Sequence, residues 1–87
     1  MTLDDIDQQL ANLDNSGDPQ FVQASQYISS LIQQVQNNQL SVEDMAELLR
    51  DVQRSMNIIQ DAKQLVLKDQ VNTVILGIFD LTGVIKY

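Results

Sequence analysis

Between Val42 and Leu76 the chain carries neither glycine nor proline, and its large apolar residues return there in steps of four and three. Met45, Leu49, Val52, Met56 and Ile59 form one series; Leu67, Val71, Val74, Ile78, Leu81 and Ile85 form a second. Steps of that kind set an apolar stripe along one face of an α-helix. Joining the two series requires consecutive steps of four through Lys63, a stutter that locally unwinds a coiled coil. Two readings follow. One is a single helix from Val42 to about Thr82, roughly 60 Å long at 1.5 Å per residue. The other is a pair of helices with a bend near 61–69. The absence of a breaker residue favours the single helix.

Upstream of that run the punctuation is clear. Thr2 suits an N-cap with Asp5 three residues on, and Leu3, Ile6, Leu10 and Leu13 make a narrow apolar stripe to Leu13. Asp14 to Asp18, with Gly17, interrupts it, and Asp18-Pro19 reads as the N-cap and first residue of a second helix reaching about Gln36. The apolar face of that helix comprises Phe21, Val22, Ala24, Tyr27, Ile28, Leu31, Ile32 and Val35. Asn37 to Leu40 then connects to a capped start at Ser41, where Leu40 can staple against Met45. The fold class expected is all-α: a short helix, a medium helix and a long C-terminal helix, in an open helical hairpin or small coiled-coil-like bundle.

With 87 residues the chain allows one small domain, expected to span 1–87. A core of that size is marginal, and the chain has no cysteine for a disulfide and no histidine for a Cys/His zinc site. Oligomerisation or docking on a partner is the remaining common route to stability. Charge divides the chain as well. Residues 1–49 hold eight carboxylates and no Lys or Arg, whereas Arg50, Arg54, Lys63, Lys68 and Lys86 stand against four acids in the rest. The net charge of −7 argues against binding a nucleic-acid backbone or anionic lipid. The N-terminus has no basic and apolar leader pattern, and the lack of cysteine fits a reducing compartment; a cytoplasmic location is expected.

Residues 71–87 are the most apolar part, with ten apolar residues in seventeen. Val74 to Phe79 is apolar nearly all round, which suits a helix buried on more than one side; a strand is the competing assignment. The segment falls short of the roughly 20 apolar residues of a membrane span and contains Asp80, so insertion is not expected.

Candidate chemistry is thin. Asp14 to Asp18 resembles a calcium loop only in its oxygen content, because glycine is fourth rather than sixth and Ser25 stands where a bidentate acid belongs. Asp44, Glu47 and Asp51 share a helix face, but Arg50 and Arg54 lie within reach, so surface ion pairing explains them better than a metal. Ser25, Ser29 and Ser30 have no base nearby in sequence, and with no His, Cys or glycine-rich phosphate loop the chain offers no familiar catalytic set. No enzyme activity, no cofactor and no metal are expected.

What remains is the apolar stripe. A second helix of about 18 residues cannot cover one of about 40. On that reasoning the C-terminal segment 67–87 stays uncovered in a monomer and forms a seam, with Leu67, Val71, Val74, Ile75, Ile78, Phe79, Leu81 and Ile85 as its interface residues. The partner is a second copy of the chain (a homo-oligomer) or another protein. A small acidic regulator occupying a basic surface is the alternative, motivated by the base-free front half.

Two stretches, 39–52 with its capped start Ser41-Val42-Glu43-Asp44, and 67–75 beginning Leu67-Lys68-Asp69-Gln70, resemble small helical proteins of T4-like tailed bacteriophages. They cover about a quarter of the chain. The resemblance implies a virion or prohead assembly component, or a small accessory protein acting on a phage or host complex, and it carries over no site residues.

Overall fold

A computed structural model describes residues 2–83 and shows four α-helices among them: α1 Leu3–Asp14, α2 Pro19–Gln36, α3 Val42–Asn57 and α4 Leu65–Thr82. No strand occurs among the described residues, so Val74 to Phe79 is helical. The protein is an all-α small helical bundle. Its radius of gyration, 12.4 Å, is close to the ~12 Å of a compact globule of this length, so the bundle is closed rather than an open hairpin.

The first three helices begin where the capping residues stand. The Thr2 hydroxyl accepts from the Asp5 N–H at 3.2 Å, and the Asp5 carboxylate accepts from the Thr2 N–H at 3.1 Å, a reciprocal capping box. Asp18 accepts from the Gln20 N–H at 3.0 Å ahead of Pro19. Ser41 accepts from the Asp44 N–H at 3.1 Å. The end of α2 is a Schellman turn. Asn38 takes φ +60° and donates to the Val35 carbonyl, while the Gln39 N–H reaches back to the Gln34 carbonyl at 2.8 Å. Asparagine is one of the few residues other than glycine that adopts this left-handed geometry readily.

The single long helix does not form. α3 ends at Asn57, a 3-10 turn covers Ala62–Gln64, and α4 starts afresh at Leu65. The break sits where the stutter through Lys63 falls, and Asp61 is the residue that organises it: its carboxylate accepts from the Lys63 N–H at 2.9 Å and caps the 3-10 turn. Gln64 then donates to the Asp18 carboxylate at 2.8 Å, tying this break to the α1–α2 turn. Energetics favour the break. Folding α4 back buries Val71, Val74, Ile75, Ile78 and Phe79, each worth roughly 1.5–3 kcal/mol. The few helical hydrogen bonds given up around 58–61 are worth about 1 kcal/mol net apiece.

The four helices run alternately up and down. α1 packs on α2 and α4, and α3 packs on α4 and α2. The core draws Ile6, Leu10 and Leu13 from α1, Phe21, Ile28 and Leu31 from α2, Met45 and Leu49 from α3, and the buried face of α4. Of the first series, Met56 and Ile59 are also buried, and Val52 packs on the core half-buried. No helix among the described residues is long and apolar enough to cross a membrane.

Candidate binding site

The expected seam of eight residues divides three ways. Val71, Val74, Ile75, Ile78 and Phe79 are buried in the bundle's own core, and Leu67 packs against it half-buried. Leu81 is exposed at 47%. Ile85 lies outside the described residues. The length argument for an uncovered 67–87 segment therefore fails with its premise: α4 has only 18 residues and is covered by three helices, α1, α2 and α3, rather than by one.

An opening does exist, at one end of the bundle. The start of α1, the end of α2, the start of α3 and the end of α4 converge there on a cleft of about 300 Å³. Ile6, Met45 and Ile78 are buried and form its floor; Ile32 and Val35 are half-buried and form a wall. Leu3, Gln36, Leu81 and Thr82 are exposed and form the rim. The lining is almost wholly apolar. The Thr82 hydroxyl, one of the two polar side chains present, is turned to its own helix and donates to the Ile78 carbonyl at 2.8 Å. A dry cavity of about 150 Å³ can hold a benzene, so this cleft has room for about two large apolar side chains.

Two of the expected seam residues, Ile78 and Leu81, thus help line the cleft. Leu3, Ile6, Ile32, Val35 and Met45 join them from the other three helices. Each of these five sits on an apolar stripe visible in the sequence, but their convergence depends on which helix ends meet, and periodicity carries no information about that.

Among the described residues, the charged side chains next in sequence to the lining are all acidic. Asp4, Asp5 and Asp7 flank Leu3 and Ile6, Glu43 and Asp44 precede Met45, and Asp80 precedes Leu81; all six are exposed. Asp5 is held below the usual carboxylate range, first by the hydrogen bond from the Thr2 N–H and then by the Thr2 hydroxyl beside it. Among the described bases, Arg50 is nearest in sequence to a lining residue, five positions beyond Met45, and its guanidinium lies over the Phe79 ring, 5.4 Å from the centroid.

The other candidate constellations have structural roles. Asp51 pairs with Arg54 on an exposed face, an arrangement worth at most about 1 kcal/mol. No group of three or more His, Cys, Asp or Glu residues among those described could hold a metal ion. The Asp18 carboxylate of the acidic turn is occupied by Gln20 and Gln64. Ser25 is fully buried, and its hydroxyl donates to the Leu10 carbonyl at 2.9 Å, pinning α2 to α1. Compared with family models, with curated proteins and with solved structures, the chain has no match.

Proposed function

We propose that the protein acts without catalysis, as a helical docking module: apolar side chains of another protein enter the cleft between the ends of α1 and α4, and assembly follows from helix packing there. The observation that carries this reading is the cleft itself, about 300 Å³ of apolar space with exposed Leu3 and Leu81 at its rim. Apolar surface left to water is the common mark of an interaction site. The chain's inventory agrees, since it has no His and no Cys and its buried hydroxyl, Ser25, is committed to a backbone carbonyl. The resemblance to small proteins of T4-like phages would give such a module a place in virion or prohead assembly, a narrower form of the same proposal.

The test is a methyl NMR titration with benzene, a small uncharged probe. Shifts confined to the methyl groups of Ile6, Ile32, Val35 and Ile78 are expected. Benzene that leaves these methyls unmoved, or moves the deep-core methyls of Ile28 and Ile75 equally, would show that the cleft does not accept apolar groups.

A further inference from the structure

We infer that the cleft's partner is a cationic apolar segment of another protein: one or two large apolar side chains flanked by Lys or Arg. The inference rests on the docking reading above and adds the partner's charge. Its warrant is the pairing of an apolar cleft with helix ends whose described charges are all acidic. Asp4, Asp5, Asp7, Glu43, Asp44 and Asp80 each lie within two residues of a lining side chain, and no Lys or Arg among the described residues does. The arrangement follows from the bundle's up-and-down order. Two helix N-termini meet at this end, and N-termini favour acids in their first turn, as Asp4, Asp5, Glu43 and Asp44 illustrate. The C-termini of α2 and α4 meet the same end with no base in their last turns.

This charge pattern selects among occupants. A second copy meeting the first through the same patch would bring like carboxylates face to face, because a two-fold interface apposes identical surfaces. Anionic lipid and nucleic acid are repelled for the same reason. A basic segment is drawn in by complementary potential, which raises its encounter rate and rejects acidic competitors. Arg50, over the Phe79 ring, sets one positive charge against those six acids and leaves the balance negative.

The test uses the full chain and two model peptides of about 14 residues with the same leucine face, one carrying lysine and the other glutamate on its polar face. The lysine peptide is expected to bind and the glutamate peptide to bind at least about tenfold more weakly. Raising salt from about 0.05 M to about 0.5 M is expected to remove most of that difference. Asp7→Lys with Asp80→Lys should weaken the lysine peptide and strengthen the glutamate peptide. Leu3→Ser with Leu81→Ser, both at exposed positions, should weaken both peptides while the thermal melt stays cooperative. Equal binding of the two peptides would overturn the inference yet leave the docking reading standing if benzene still shifts the cleft methyls; if benzene does not, the reading fails first. Two other outcomes overturn it. Lysine-peptide binding that appears only once residues 84–87 are removed would make the chain's own end the occupant. A dimer in light scattering that is broken by the Leu3 and Leu81 changes would make a second copy the occupant.

Discussion

The two ends of the bundle are built from similar material and finished differently. At the closed end, the α1–α2 turn and the α3–α4 break are joined by the Gln64–Asp18 hydrogen bond, and Asp18 and Asp61 both cap the chain segments that follow them. Lys63 and Lys68 lie close in sequence to those acids. At the open end, four helix termini surround an apolar cleft, and the exposed acids Asp4, Asp5, Glu43, Asp44 and Asp80 stand in those terminal turns. One acidic residue type thus does two jobs. At the closed end Asp18 and Asp61 each accept a backbone N–H and close a turn; at the open end Asp5 caps α1 in the same way, and the acids near it stay exposed.

The largest effect that would sharpen this contrast lies in α4. Ile78→Asp or Phe79→Asp places a carboxylate at a buried position, and the loss should reach several kcal/mol. Circular dichroism is expected to show the whole bundle unfolding, α1 and α2 included, because α4 packs on both. A variant that dissociates an oligomer but keeps a cooperative melt would restore the seam reading of that face.

A smaller effect belongs to the closed end. Asp18→Ala removes both an N-cap and the acceptor for Gln64. It should cost about 1–2 kcal/mol in denaturant unfolding. Gln64→Ala should cost less. The double variant should show coupling, since the two share one bond. Strict additivity would mean the tie between the two turns contributes nothing.

The smallest effect is the pH dependence of the open end. Asp5 titrates below its ordinary value of 3.8 because Thr2 donates to its carboxylate. A carboxyl lowered in the folded state stabilises it fully above the unfolded value, and that contribution fades as pH falls through the folded value. Amide exchange at the start of α1 should therefore quicken as pH drops below 3.8, after correction for intrinsic rates. Thr2→Val should remove part of the effect by deleting the hydroxyl beside Asp5, while the start of α3, capped by Ser41, keeps its own profile.

The helices themselves were legible because their signals are local. Thr2, Asp18-Pro19 and Ser41 are caps whose geometry depends on three or four neighbouring residues. The apolar steps from Met45 to Ile59 and from Leu67 to Leu81 report a helical face wherever it ends up. The break at 58–64 was only half legible. The stutter through Lys63 marks the place, but no Gly or Pro marks a stop, and Asp61 looks like any surface acid until the chain turns there. Of the cleft, Ile78 and Leu81 were singled out from the apolar tail, whereas Leu3, Ile6, Ile32, Val35 and Met45 were not.

By itself the sequence determined an all-α protein, its first three helix starts, its buried faces and its acid-rich front. Those properties follow from periodicity, capping and composition, which act within a few residues. Only the tertiary structure decided that the apolar face of α4 closes the protein's own core, and that four helix ends meet at one cleft. The physical reason is that burial is non-directional. An apolar stripe gains as much from its own chain as from another, and only the packing of the whole chain reveals which surface is left over.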